Sequence, residues 1–374
     1  MTPRTTRDDV RNHATAPWQG VLPDPFSEIR LTSLSATRGA NYWSSRPVTR
    51  LDLMVGAYED LSSADAPGFT ERLVEALPGL VEHRCSIGER GGFITRLYRG
   101  TYTPHIVEHV ALELHGMIGH DVGYGRTRGG DVDGEYTVVF EHRHEAVGLR
   151  AAALALDVVQ QTFAGTLVGV DHATAELATL AAGPDVPALE ANVLCGITGG
   201  SGRGELRAEL ARRECCGDGL IVDVSPGFIL QAGLPYANSE MAVVLDNELT
   251  DVPERYRDAE RATRLVSVVA DAVPRGGIVI APAKAWPVQD YARDQGCIVA
   301  VFSSGDDVTA KDRKVSRSAA WVVGDEIVIE HRGRRSAVEE RLDTLPPGVQ
   351  ASAALAEHAL RELRESHESG ARRG

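Results

Sequence analysis

From Glu28 to about Phe163, helical and strand-like hydrophobic patterns alternate along the chain. Leu51 to Ala57 reads as a short strand, and Gly68 to Leu77 as a helix with Leu73, Val74 and Leu77 on its apolar face. Thr103 to Ile118 predicts a strong helix: Thr103 is placed to cap it, Pro104 suits its first position and Gly119 lies near its end. Tyr136 to Glu141 is β-rich, and Glu145 to Thr162 predicts a long amphipathic helix. This is the signature of an α+β domain.

The pattern changes beyond residue 190. Short apolar runs at Val193 to Thr198, Leu220 to Val224, Met241 to Asp246, Gly277 to Ala281 and Cys297 to Phe302 are interleaved with helical stretches at Glu205 to Glu214 and Tyr256 to Val273. Continuous rather than alternating apolar strands imply a parallel sheet buried on both faces, hence an α/β, phosphate-loop type of domain with a mostly parallel sheet. Trp321 to His331 predicts a hairpin, and Ala351 to Glu365 an amphipathic terminal helix. The expected organisation is an arm over 1–27, a first domain over 28–166, a linker over 167–191 broken by Gly183-Pro184 and Pro187, a second domain over 192–345, and a helix and tail over 346–374.

Composition narrows the function classes. With 374 residues there is room for two cores, and a formal net charge of −14 argues against a nucleic-acid partner, which would need clustered Lys and Arg. No run of about 18 apolar residues is present, and Met1 to Pro25 lacks the apolar centre of a signal peptide, so the expectation is a soluble, cytoplasmic protein that does not meet the membrane. The cysteines (Cys85, Cys195, Cys215, Cys216, Cys297) form no disulfide framework and are expected as reduced thiols.

The motif with most chemistry is His105-Ile106-Val107-Glu108-His109, an inverted zincin H-x-x-E-H pattern within the expected helix. Residues four apart share a helix face, so His105 and His109 can address one Zn2+. Glu108 can then take a proton from a metal-bound water. A third ligand is required. Glu141 at the end of its strand is the expected one, with His120, His83 and Cys85 as rivals. Glu113 lies eight residues beyond His105, about 12 Å along the axis. It is better suited to hold a histidine's outer ring nitrogen.

A family resemblance then enters, carried by Arg38-Gly39-Ala40-Asn41-Tyr42-Trp43-Ser44-Ser45-Arg46-Pro47-Val48, Leu77-Pro78-Gly79-Leu80, Glu82-His83-Arg84-Cys85-Ser86, Gly88-Glu89-Arg90-Gly91-Gly92-Phe93, the His105 to Leu114 stretch and Asp121 to Arg128. These segments resemble the N-terminal domain of cyanophycin synthetase. In that family the domain precedes an ATP-grasp domain, for which this chain has no room, and a Mur-ligase-like domain. Thr198-Gly199-Gly200-Ser201-Gly202-Arg203-Gly204 is similar to the Mur-type T-G-x-N-G-K-T, but with Arg203 at the lysine position and Gly204 at the hydroxyl position. Asp223-Val224-Ser225-Pro226 and Ala281-Pro282-Ala283-Lys284 depart likewise from the polar Mur segments. A phosphate loop needs that lysine and hydroxyl, so the resemblance implies a scaffold whose ATP site is dismantled.

Some members of the family are thought to use the N-terminal domain as a metal-dependent hydrolase. The leading expectation is therefore a zinc-dependent hydrolase of an amide or isopeptide bond, with Glu108 catalytic and His105, His109 and Glu141 on Zn2+. Arg126, Arg128, Arg90, Glu89, Trp43 and Arg46 are the expected contacts to a small peptide or amino-acid-derived substrate. The alternatives are a non-catalytic peptide-binding partner of a separate ligase, or a residual ATP-dependent Mur-type amide ligase. A homo-oligomer is expected, as among relatives.

Overall fold

The structure is a computed structural model. It describes residues 20–186, 193–215, 217–305 and 308–371. Most of the expected arm, part of the linker, Cys216 and the last three residues lie outside the described residues. Two compact units emerge. One takes in the chain up to Ser33 with Leu51–Val138 and Arg150–Ala178; the other takes Leu34–Arg50, Val139–Leu149 and everything from Thr179 onward. Asp171–Ala181, within the stretch expected as a linker, is a helix with Ala173 and Leu177 buried.

An antiparallel sheet is built from β1 (Arg30–Ala36), β2 (Val48–Met54), β3 (Gly125–Gly129) and β4 (Glu135–Glu141), in the order β1-β2-β4-β3. The helix Thr103–Met117 packs on β3, and its buried positions run almost all round its circumference, from Ile106 to Leu114. Such a helix is largely an interior element, and His109 and His115 on it are buried while His105 is half-buried. Its N-cap is Tyr102 and not Thr103, which already lies in the first turn. Elsewhere in this unit Tyr58 and Phe69 pack edge-on and tilted against Phe163, and Leu51, Leu53, Leu73 and Leu77 are buried.

The second unit is organised by an eight-stranded sheet: β5 (Val193–Thr198), β6 (Leu220–Asp223), β7 (Ser239–Val244), β8 (Ile278–Pro282), β9 (Ile298–Ser303), β10 (Ser318–Val323), β11 (Glu326–His331) and β12 (Arg334–Glu340), in the order β12-β11-β10-β9-β8-β7-β5-β6. β5 to β10 form the parallel part of the sheet, and β11 and β12 add an antiparallel edge; β10 and β11 are the expected hairpin, with Trp321 opposite Val328. Burial on both faces follows the strand period of two. Val279, Ala281, Val299, Val301, Ala319 and Trp321 face one core with the helix Ala259–Asp271, while Ile278, Ile280, Ala300, Phe302, Ala320 and Val322 face another with Arg203–Arg212 and Pro347–Ala371. The expected α/β class is thus observed. β5 has its sequential successor β6 on one side and β7 on the other, which makes the carboxyl ends of β5 and β7 a topological switch point.

Candidate functional site

In the first unit, two short 3-10 turns (Pro78–Glu82 and Cys85–Ile87) and the helix Gly92–Arg99 bring three side chains against the helix Thr103–Met117. Cys85, His105 and His109 each offer one donor atom, all within 4.8 Å of one another. Cys85 Sγ is 3.3 Å from His105 Nε2. Cys85 sits at φ 53°, left-handed backbone that a non-glycine residue adopts at a cost of about 1–2 kcal/mol. Strain of that kind gathers at functional positions.

The outer ring nitrogens are held as well. Thr101 Oγ1 is 2.9 Å from His105 Nδ1, and His109 Nδ1 is 2.9 Å from His83 Nδ1. His83 is in turn 3.1 Å from Glu113 Oε2 through its other nitrogen. A chain Glu113–His83–His109 therefore orients the metal-capable ring, and Phe93 stacks on it at 3.9 Å between centroids. Gly79 leaves the room, since a Cβ there would overlap the Glu113 carboxylate. Burial pushes His105 down to about 4, helped by Arg96, and pushes His109 down to about 2, helped by His105, His83 and Arg96. Both rings are neutral at ordinary pH, as a metal ligand must be.

Several expected site residues sit elsewhere. Glu141 is paired with Ser44 Oγ at 2.6 Å and Arg46 at 3.6 Å, both in the second unit, and Cys85 takes the position in the donor group that was expected for it. Glu108, expected as the proton acceptor and not as a ligand, is 7% exposed and receives the Thr127 hydroxyl at 2.6 Å. Helical geometry explains this: Glu108 lies 100° round from His109, toward β3. Arg126 and Arg128 flank Thr127 on that strand, so the pleat turns them to the other face. Trp43 packs against the core of the second unit and Arg46 bonds Glu141. Arg90 is exposed and paired with Glu82, beside exposed Glu89. His115, expected at the surface or in a cap, is fully buried, with Nδ1 donating to Ala111 O at 2.8 Å. Arg96, whose Nη1 is 2.8 Å from Ser86 Oγ and 3.7 Å from Cys85 Sγ, was missed in the sequence; its place three residues past Phe93 on a strongly amphipathic helix was the available signal.

In the second unit the glycine loop follows β5 and opens the helix Arg203–Arg212, as a phosphate loop does. Its amides are already used. Asp246, just beyond β7, accepts from Gly200 N at 2.7 Å, Ser201 N at 3.2 Å and Ser201 Oγ at 3.1 Å. Arg203 turns back onto Gly199 O, and Asp223 is bridged by Arg207 at 3.1 Å.

Residues 50–164 match the family described as the cyanophycin synthase-like N-terminal domain. Over 155 residues the chain is 39% identical to a cyanophycin synthetase of Geminocystis herdmanii, covering 41% of this chain and 18% of that protein. Over 135 residues it is 50% identical to one of Synechocystis sp., covering 34% and 15%. Residues 50–164 are thus similar to the cyanophycin synthetase N-terminal domain, and the chain spans less than a fifth of the length of these relatives. Among solved structures, a murein peptide ligase from Psychrobacter arcticus overlaps 46% of this chain and 45% of its own at TM-score 0.34 and 12% identity; another from Neisseria meningitides overlaps 45% and 62% at 0.30 and 14%. Overlaps that loose carry no inference. The relatives are named for synthesis, which overturns the expectation of a zinc-dependent amide hydrolase. No helix among the described residues is long and apolar enough to cross a membrane.

Proposed function

We propose that this chain serves amide-bond synthesis of the cyanophycin synthetase kind, its first unit holding the amino-acid-rich substrate for a ligase that supplies the ATP-driven step. The observation that carries this reading is the 39–50% identity, over 135 to 155 residues, to proteins named for that synthesis. The site has what a peptide carboxylate or carbonyl requires: the Arg96 guanidinium beside a half-buried, oriented set of thiol and imidazole donors. Cys85, His105 and His109, with Thr101 and His83 fixing the rings, fit Zn2+, whose preferred donors are thiolate and neutral imidazole. Cys85, His105 and His109 would hold the ion, which would supply Lewis-acid chemistry toward a substrate oxygen. The second unit is the weaker candidate for handling nucleotide, because Asp246 holds the loop amides that a phosphate would take.

A residual ATP-dependent amide ligase is the second reading. It is favoured by the position of the glycine loop at the switch point of the sheet, with a helix N-terminus behind it. One experiment separates the two. Purified protein is titrated with cyanophycin fragments in a calorimeter, then incubated with the same fragments, amino acids and Mg-ATP while ADP is measured. Binding without ADP release, weakened tenfold or more in Arg96→Ala, supports the substrate-holding role. Peptide-dependent ADP release supports the second reading, and neither signal overturns both.

A further inference from the structure

We infer that the second unit carries a binding site for a zinc-class divalent ion on His331, His358 and Glu362, which staples the C-terminal helix to the sheet. His331 ends β11, next to the antiparallel edge. His358 and Glu362 lie one turn apart on the helix Pro347–Ala371, which packs over β9, β10 and β11. Side chains four apart share a helix face, so both reach the same point at the end of β11. One donor atom from each of the three lies within 4.8 Å of the others.

The donors are arranged as a metal site would need them. His331 Nε2 is 2.9 Å from Glu362 Oε1, and the two imidazoles stand 5.3 Å apart between centroids. Donors around one tetrahedral zinc are about 3.3 Å apart, which follows from bonds of about 2.0 Å. Small rotations of His358 would close the remaining gap. His358 Nε2 is buried and has no hydrogen-bond partner, an arrangement that burial of a ring nitrogen does not by itself favour. A bound ion would satisfy this nitrogen.

Neighbouring groups support the ligand set. His331 Nδ1 is 2.8 Å from Ser318 Oγ, and a hydroxyl can donate or accept. His331 can therefore shift its proton to Nδ1, releasing Nε2 to the ion while Ser318 accepts. This is how an outer-sphere partner fixes a ligand's tautomer. Arg317 lies 3.5 Å from Glu362 Oε2, while Oε1 is the oxygen that faces His331 Nε2. Two imidazoles and a carboxylate suit zinc or its neighbours, not magnesium or calcium, and leave a fourth position for water.

The test uses the full chain, chelator-treated and then titrated with zinc chloride alone. Zinc stoichiometry is read by calorimetry and by elemental mass spectrometry after desalting. The parent is compared with Glu362→Gln and His358→Ala. The glutamine variant keeps an acceptor for His331 and so keeps the fold, which circular dichroism checks; it decides the matter if the alanine variant unfolds. The expected result is the loss of one zinc equivalent, or weakening of that equivalent at least tenfold, in each folded variant. Zinc should also raise the melting temperature of the parent by roughly 5 °C more than that of Glu362→Gln. Equal stoichiometry and affinity in parent and Glu362→Gln would overturn the site, whatever the first unit's cysteine and histidines bind.

Discussion

The carboxylate of Asp246 accepts the amide of Gly200 at 2.7 Å, so the glycine loop of the second unit closes on an acid from its own chain. The same side chain also holds Ser201 and the backbone N–H of Glu248 at 3.1 Å. A carboxylate in a ring of amides mimics one edge of a phosphate. Asp246→Ala should remove about 1–3 kcal/mol of stability, since it leaves several donors unpaired. It should also create an anion site where the parent has none, seen as pyrophosphate binding by calorimetry. An Asp246→Ala protein with unchanged urea midpoint and no gain in anion binding sinks the idea that this acid is the loop's internal ligand.

A second relationship decides what Glu108 does. A Cβ at Gly125 would stand 2.8 Å from the Glu108 side chain, so the strand approaches the helix only because position 125 is glycine. Gly125→Ala is expected to destabilise by about 1–3 kcal/mol through overpacking. Gly129→Ala, on the same strand with nothing within 4 Å, should be near neutral. The double variant Glu108→Ala/Gly125→Ala should recover much of the loss, a non-additivity that a double-mutant cycle measures by urea unfolding. Additive effects would mean that the contact is not the source.

The sequence made much of this legible, and the failures have physical causes. The buried parallel strands announce themselves as apolar runs, because a sheet covered on both faces has no polar side to alternate. The helix Thr103–Met117 and the pairing of His105 with His109 follow from the 3.6-residue period. β3 escaped notice because Gly-Arg-Thr-Arg-Gly has a weak strand composition and is held by its partners, not by propensity. Cys85 was only a rival to Glu141 because the residue that joins two helical histidines is set by a turn with left-handed backbone, which spacing along the chain does not encode. Asp246 was invisible for the same reason: its role rests on strand order, β5 beside β7, and the sequence carries no direct record of that.

His115 sets a pH dependence for the first unit. It is fully buried, and burial pushes it down to about 4, against a hydrogen bond to Ala111 that raises it and His120 that lowers it further. The folded ring is thus neutral where the unfolded ring, near 6.5, takes up a proton. The unfolded state binds more protons between these two values, so stability rises with pH there and falls as pH drops from about 7 toward 4. The full effect of one such group is about 3 kcal/mol. His115→Gln should flatten the pH dependence of the urea midpoint across this window. A slope unchanged by the substitution would assign the acid sensitivity to other groups.

Arg213 bonds three acids of the second unit, and its removal is a sharp stability test. It is only 9% exposed and reaches Glu209 at 2.8 Å, Glu339 at 2.9 Å and Glu357 at 2.8 Å. These acids come from the helix Arg203–Arg212, from β12 and from the C-terminal helix, so one guanidinium ties the edge strand to two helices that share a core. Burial opposes its charge, yet the three carboxylates hold it more firmly protonated than usual. Glu209 is 4% exposed; its bond to Arg212 and then that to Arg213 hold its carboxyl below the ordinary range, with burial opposing. Arg213→Met strips the charge and leaves Glu209 buried with only an exposed partner. The expected loss is about 3–5 kcal/mol at pH 7, the range for breaking a buried pair from one side. The sign with pH follows from the depressed carboxyl: its contribution is present above the unfolded value and is lost as pH falls through the lower folded value. The gap between parent and Arg213→Met in urea unfolding should therefore narrow in acid. A gap that stays constant down to the point where Glu209 protonates would mean that Arg213 acts through its packing and not through its charge.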